Sequence, residues 1–207
     1  MELYLIRHGR TATNKRRAYC GRTDDPLSPE GAAEARTVNH PVRPDLVYVS
    51  PMRRTQQTAA ILFPQARQEI IPGLQEMDFG AFEGCTADDL ADDPAYQRWL
   101  AEECRSDCPG GEGIVSFTRR IDRTLRELVA RARAAGREQM VLVAHAGTVM
   151  AAMCLYARPE REYFQWFTPN CGGFQVELDE NAWPEQPVFL SWHPLLPEQE
   201  EILNRTR

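Results

Sequence analysis

Two histidines follow predicted buried strands in this sequence, and each is followed closely by glycine. His8 is the penultimate residue of the stretch Glu2–Gly9, and His145 follows Met140–Ala144. Short apolar runs with β-branched members are typical of buried strands. In open α/β sheets, ligands bind outside the carboxyl ends of the strands. One such histidine is most often structural, but two at equivalent places are candidate reactive residues.

Two further stretches carry groups suited to anion binding and proton transfer. Arg54 stands in the first turn of a predicted helix that leaves a strand, where it can help the helix N-terminus to bind an anion. Glu76 lies in a stretch that interleaves acids with aromatic residues and glycines. A carboxyl group beside apolar groups can have a raised pKa and donate a proton. Taken singly, an exposed arginine and an acidic loop explain these motifs equally well.

The other two histidines and a cysteine pair have weaker settings. His40 and His193 are expected to lie at the surface or on an edge strand. Cys104 and Cys108 have the spacing of half a metal site, but no second pair with suitable spacing accompanies them. The six cysteines are therefore expected to be free thiols, with disulfides as the alternative for a secreted chain.

The elements that position these groups are predicted from hydrophobic periodicity and from helix-start and helix-stop signals. Beyond the strands that precede His8 and His145, strands are predicted at Leu46–Ser50, Gln68–Ile71, Phe174–Leu178 and Val188–Trp192, the last two as closing edge strands. Helices are predicted from Ser28 to Val38, Pro51 to Leu62, Ile114 to Ala132 and Thr148 to Tyr156, with Gly136 capping the third. Arg10–Asp25 is expected to be a loop.

This alternation of strands and helices indicates an α/β fold, namely a three-layer αβα sandwich with a largely parallel central sheet. The whole chain, residues 1–207, is expected to form one domain. The segment 73–113 breaks the pattern, with short helical pieces at Ala87–Cys104, and is expected to be an insert over one end of the sheet. The acidic tail after Pro197 is expected to be a short helix or a frayed end.

Composition excludes several classes of function. The net charge of −6 gives no support to binding of nucleic acid or anionic membranes. No apolar stretch approaches the length of a membrane span. The first strand begins at once, which leaves no room for a signal peptide, so we expect a cytoplasmic location. Lys15 is the only lysine; the preference for arginine suits phosphate binding, but genomic composition explains it as well.

Four blocks of the sequence occur in a recognisable order, namely Arg7-His8-Gly9-Arg10-Thr11-x-x-Asn14, Ser50-Pro51-x-x-Arg54-x-x-Gln57-Thr58, Glu76-Met77-Asp78-Phe79-Gly80 and His145-Ala146-Gly147. Together they resemble the histidine phosphatase superfamily, the phosphoglycerate-mutase-like group. The stretch Gly21–Gly31 also resembles the family's lead into its first helix. The resemblance covers about residues 2–150, and it looks most like the small phosphatases, including the α-ribazole phosphatase branch.

The resemblance implies a role for each matched residue. His8 would be the nucleophile that becomes a phosphohistidine, and Glu76 would be the proton donor to the leaving group. Residues that would bind the phosphate or substrate are Arg7, Asn14, Arg22, Arg54, His145 and Ala146. Many family members have a second glycine at the position of Ala146. Thr11 and Gln57 match motif positions without an assigned role, and Glu112 and Ser116 are candidate substrate contacts in a family loop.

The implied function is a metal-independent phosphomonoesterase that needs no cofactor and acts on a small phosphorylated metabolite. α-Ribazole 5′-phosphate is one candidate substrate. A cofactor-dependent phosphoglycerate mutase is an alternative, although such mutases are generally longer. A catalytically silent phosphate-binding module is the other, and it would not require both a nucleophile and a proton donor. The aromatic segment Tyr163–Phe167 either lines a leaving-group pocket or belongs to the core. The oligomeric state is not readable from the sequence.

Overall fold

The computed structural model describes residues 1–197, 199 and 203. Its strands are β1 (Glu2–Arg7), β2 (Leu46–Val49), β3 (Arg67–Ile70), β4 (Gln139–Ala144), β5 (Gly173–Leu178) and β6 (Phe189–Pro194). Its helices are α1 (Ala12–Lys15), α2 (Pro29–Thr37), α3 (Arg53–Leu62), α4 (Pro94–Ala101), α5 (Ile114–Ala134) and α6 (Ala146–Tyr156). Three short 3-10 turns lie at Pro72–Leu74, Gly80–Phe82 and Tyr163–Trp166. The expected tail after Pro197 falls largely outside the described residues.

The strands form one six-stranded sheet in the order β3-β2-β4-β1-β5-β6. β3, β2, β4 and β1 are mutually parallel, whereas β5 runs antiparallel to both β1 and β6. The largely parallel sheet is therefore confirmed. The prediction that β5 is an edge strand is wrong, because β5 pairs with a strand on each side. Its run of buried residues fits either place, so only the pairing reveals its position.

Helices cover the sheet on both faces, which gives the three layers. One face buries Tyr4, Ile6, Val47 and Val143 against α3 and the segment that follows α2. The other face packs against α5 and α6 in the larger core cluster. Strands buried on both sides need apolar residues throughout, and this is the continuous pattern that predicted β1, β2 and β4.

Local signals explain where the predicted helices begin and end. Ser28 caps α2, because its side chain accepts a hydrogen bond from the Gly31 N–H and Pro29 occupies the first turn. Gly136 follows α5 with a positive φ of 64°, as the helix-stop prediction requires. The short helix α1 lies within the expected loop Arg10–Asp25; four residues are too few to show a helical period.

The burial of His40 and His193 tests the positions predicted for these two histidines. His193 lies exposed on the edge strand β6, as expected, but His40 is only 2% exposed. His40 lies in the segment between α2 and β2, and its ring is covered by stacking on Phe63, with centroids 6.4 Å apart. The expectation of a surface position was therefore wrong. All six cysteines are free thiols, as expected. No helix among the described residues is long and apolar enough to cross a membrane.

Candidate active site

His8 and His145 meet in the middle of the sheet because their strands are neighbours. β1 and β4 pair in parallel with Arg7 opposite Ala144, so the residues that follow both strands emerge together. The two imidazole rings lie edge to face, with centroids 5.2 Å apart. The chain leaves β1 toward one face of the sheet and leaves β4 toward the other. Such a change of side opens the crevice in which α/β proteins bind ligands.

His8 is held in one tautomer with one ring nitrogen available. Its Nδ1 lies 2.7 Å from the carbonyl oxygen of Gly9. A carbonyl only accepts, so Nδ1 carries the proton and the lone pair is on Nε2. Burial, and then the charges of Arg54 and Arg7, lower the pKa of His8 well below its usual value. The imidazole is therefore neutral at physiological pH, as a nucleophile must be.

Both ring nitrogens of His145 are hydrogen-bonded, and these bonds hold its imidazole next to that of His8. The guanidinium of Arg54 can only donate, so its Nε–H makes Nδ1 of His145 an acceptor at 3.3 Å. The proton is then on Nε2, which donates to Ser50 Oγ at 2.8 Å. Burial, followed by the charge of Arg54, lowers the pKa of His145 well below its usual value. A neutral second histidine thus presents a ring edge to His8.

Arg54 is fully buried and hydrogen-bonded along its whole guanidinium. Besides His145, it donates to the carbonyl oxygens of Thr23 at 2.6 Å and Gly21 at 2.8 Å. Helix α3 holds it there through Thr58, which accepts from the Gly9 N–H and donates to the Arg54 carbonyl. In this arrangement Arg54 contributes a positive charge behind the two histidines and fixes the loop around residue 21.

Arg7 has donor capacity to spare. Its Nη1 donates to the carbonyl of Thr168 at 2.6 Å, and its guanidinium lies over the ring of Phe167. Its Nε is buried without a hydrogen-bond partner among the described residues. Burial lowers the pKa of Arg7 to about 10, so it stays charged at neutral pH. A buried charged donor with no partner is costly, so it indicates a site for an anion.

Glu76 is held at the N-terminus of α6, where two backbone N–H groups grip its carboxyl. Met77 donates to Oε1 and Gly147 to Oε2, each at 3.0 Å. Burial nevertheless raises the pKa of Glu76, although those hydrogen bonds and the charges of Arg54 and Arg7 oppose it. A carboxyl group that is only 7% exposed and whose pKa is raised by burial is suited to donate a proton.

Arg120 of α5 fixes the backbone that carries Glu76. It donates to the carbonyl oxygens of Gly73, Gln75 and Glu76 at 2.9, 2.8 and 3.1 Å. Its remaining donors form a two-pronged ion pair with Glu112. Glu112, predicted as a candidate substrate contact, is placed in this network by the structure.

The other predicted residues separate into two groups. Asn14 and Ala146 line an open cavity of about 810 Å³ together with Arg7, His8 and Glu76. Arg22, Ser116 and Gln57 are engaged within the protein. Arg22 hydrogen-bonds Gln75 and lies near the carboxyl groups of Asp78 and Glu112. The hydroxyl of Ser116 donates to Asp107. The side chain of Gln57 accepts a hydrogen bond from the Leu27 N–H. Thr11 caps α1 in a reciprocal pair with Asn14.

Several residues that shape the site were given no role by the sequence. Ser50 holds His145, Arg120 fixes the segment of Glu76, and Asn170 donates to the His8 carbonyl at 3.0 Å. Ser50 stood in a quoted motif at a strand end, which was a usable signal. Arg120 and Asn170 carried none, because their partners lie 44 and 162 residues away in sequence.

Several known proteins are similar to this chain in sequence and in fold. The family model of the histidine phosphatase superfamily (branch 1) matches residues 3–188. The adenosylcobalamin/alpha-ribazole phosphatase of Salmonella typhimurium is 31% identical over 156 residues, which are 72% of this chain and 76% of that protein. The crystal structure of the alpha-ribazole phosphatase from Shigella flexneri has a TM-score of 0.75 at 28% identity, covering 86% of this chain and 91% of that one. A phosphoglycerate mutase from Thermus thermophilus has a TM-score of 0.68 at 29% identity, covering 93% and 98%.

Proposed function

The chain belongs to branch 1 of the histidine phosphatase superfamily and is a phosphoric monoester hydrolase, and we propose that its reaction passes through a phosphohistidine on His8. The observation that carries the proposal is the hydrogen bond from His8 Nδ1 to the Gly9 carbonyl. It leaves a neutral Nε2 lone pair beside a cavity that also contains a buried carboxyl group. The two groups that a double displacement needs are thus present together.

The first step is attack of His8 Nε2 on phosphorus. A phosphate monoester dianion repels anionic nucleophiles, so a neutral imidazole is well suited. Arg7, which lines the cavity, binds the equatorial oxygens through its guanidinium, and Arg54 adds positive charge from behind. This positive charge is the reason that we propose a metal-independent reaction. As the P–N bond forms, the bond from phosphorus to the ester oxygen breaks.

Glu76 serves both halves of the reaction. In the first it gives its proton to the departing alkoxide, which is a poor leaving group without one. In the second its carboxylate takes a proton from the water that attacks the phosphohistidine, and inorganic phosphate leaves while His8 is regenerated neutral. The raised pKa of Glu76 supports the acid role, and the two N–H donors support the carboxylate that follows.

The substrate is a small phosphorylated metabolite, and we propose α-ribazole 5′-phosphate as the first candidate, since two of the relatives described above are named for that activity. We propose that residues 1–207 form one domain that acts in the cytoplasm without nucleic acid. Phosphoglycerate mutase is the second candidate, on the likeness to the Thermus enzyme. A mutase must return the phosphoryl group to substrate, whereas a hydrolase releases it to water.

Labelling with a ³²P-phosphate ester tests the mechanism. The protein should acquire an acid-labile label, and the label should chase into inorganic phosphate. His8→Ala should lose the label and lower kcat/KM by at least about 10³-fold, while His193→Ala, on the exposed edge strand, should behave like the wild type. Full labelling and full hydrolysis by His8→Ala would exclude the mechanism. Transfer of the label to 3-phosphoglycerate would identify a mutase.

A further inference from the structure

A second cavity, apolar in character, adjoins the one above His8. It has a volume of about 320 Å³, within the range of small-molecule pockets. Four residues line both cavities, namely Tyr19, Glu76, Phe79 and Ala146. Glu76 therefore stands where the two spaces meet.

Aromatic and aliphatic side chains form the rest of the wall. Trp99 and Leu100 come from α4, and Tyr163 and Phe164 come from the 3-10 turn after α6. Trp99 is buried, but Leu100 is 46% exposed and Phe164 is 59% exposed. Two large apolar side chains thus remain in water at a cavity rim, where a ligand would cover them. Trp166, from the predicted aromatic segment, belongs instead to the core.

The polar groups around this cavity are mostly used within the protein. The hydroxyl of Tyr163 donates to the Gly147 carbonyl at 3.2 Å. The hydroxyl of Tyr19 is paired with that of Tyr96 at 2.8 Å. Apart from Glu76, the side chains of the wall therefore offer little to the hydroxyl groups of a sugar or of glycerate.

We propose that this cavity binds the leaving group, and that the substrate is a phosphate ester whose alcohol carries a flat apolar ring close to the ester oxygen. The wall thus favours such an ester over α-ribazole 5′-phosphate, the candidate taken from the relatives' names, because the ribose of that molecule would meet the apolar side chains first. The inference rests on the proposed function, because it takes Glu76 as the proton donor. The ester oxygen must lie against Glu76 when the bond to phosphorus breaks. Phosphorus lies on the His8 side of Glu76, so the carbon skeleton extends to the other side, into the apolar cavity.

Two esters with similarly poor leaving groups test the pocket. Wild-type kcat/KM should be at least about tenfold higher for 2-naphthylmethyl phosphate than for glycerol 1-phosphate, since only the first fills an apolar wall. The variants Leu100→Ser and Phe164→Ser should each lower that ratio by about five- to tenfold, mainly by raising KM for the naphthyl ester. Leu190→Ser is the matched control; Leu190 is 61% exposed on β6, and its substitution should leave the ratio unchanged.

A second measurement requires no variant. 2-Naphthylmethanol, the alcohol released from the naphthyl ester, should inhibit the wild-type protein competitively because it fills the same cavity. A wild-type ratio near or below one, with both esters hydrolysed through phosphohistidine, would overturn the pocket and leave the proposed function intact. Equal ratios in wild type and both pocket variants would also overturn it. If no ester is hydrolysed and no phosphohistidine forms, the proposed function fails and the pocket fails with it.

Discussion

Replacing Gly147 by alanine separates the placement of Glu76 from the stability of the fold. Gly147 lies in α6, where alanine is intrinsically the better helix former by up to about 1 kcal/mol. A Cβ there would overlap Oε1 of Glu76 and lie 3.0 Å from its Cδ. Helix propensity therefore favours the substitution, whereas the position of the carboxyl group opposes it.

The size of the effect follows from these distances. The new Cβ would overlap Oε1, whereas close carbon–oxygen contacts are about 3.3 Å, so the Glu76 carboxyl must retreat by roughly 1 Å. The hydrogen bond from the Gly147 N–H to Oε2, now 3.0 Å, would lengthen to about 3.5–4.0 Å and be lost. A misplacement of about 1 Å costs on the order of 10²-fold in rate. We expect kcat/KM for an alkyl phosphate to fall by about that factor.

The assay compares leaving groups. p-Nitrophenolate leaves readily without a proton, so Gly147→Ala should lose less than about fivefold in kcat/KM for p-nitrophenyl phosphate, a constant that does not include the later hydrolysis of the phosphohistidine. Glu76→Gln should show the same contrast between the two substrates. Gly136→Ala is the control for stability, because its positive φ is strained for alanine while nothing lies within 4 Å of the new Cβ. Equal losses with both substrates, or no loss with either, would refute this account of Glu76.

Three further predictions follow from the site. With alkyl phosphates kcat/KM should be highest at acidic to neutral pH. His8 stays neutral down to its lowered pKa, and Glu76 stays protonated up to its raised pKa. A pH profile should therefore show kcat/KM falling on the alkaline side for an alkyl phosphate but not for p-nitrophenyl phosphate. Ser50→Ala should lower kcat about tenfold and the free energy of unfolding by about 1–3 kcal/mol, because the buried Nε2–H of His145 loses its hydrogen-bond acceptor. Ser50→Thr, which keeps the hydroxyl, should recover activity. Unchanged kinetics in Ser50→Ala would show that Ser50 does not position His145. Arg120→Ala should lower the free energy of unfolding by about 2–3 kcal/mol in urea, because three carbonyl groups and Glu112 lose their hydrogen-bond donor. A loss below about 0.5 kcal/mol, the effect of an ordinary surface substitution, would show that Arg120 does not hold the segment of Glu76 in place.

Local patterns predicted most of the fold because the signals lie within a few residues of the elements they specify. The helix α5 followed from apolar residues spaced three and four apart, and its end followed from Gly136. The strand before His145 followed from five consecutive apolar residues. The same logic misplaced His40 and overlooked α1, since neither burial in a turn nor a four-residue helix leaves a periodic pattern.

The residues of the candidate site likewise fall into those that the sequence identified and those whose positions it did not predict. His8 and Glu76 were identified from their neighbours in sequence and from the family resemblance, and both line the cavity. The positions of Arg22 and Glu112 were not predicted, because each is drawn into contacts with residues from other segments. An ion pair across segments depends on which elements pack together, and that information is spread along the whole chain.

The sequence by itself determined which groups this protein could use: histidines at strand ends, an arginine at a helix start, and an acid among apolar residues. Only the tertiary structure decided how they act. The pairing of β1 with β4 brought the two histidines together, and burial set their low pKa values. Arg54, 91 residues away from His145, fixed its tautomer by donating to Nδ1. Charge state and tautomer depend on distance and solvent exposure, which exist only once the chain has folded.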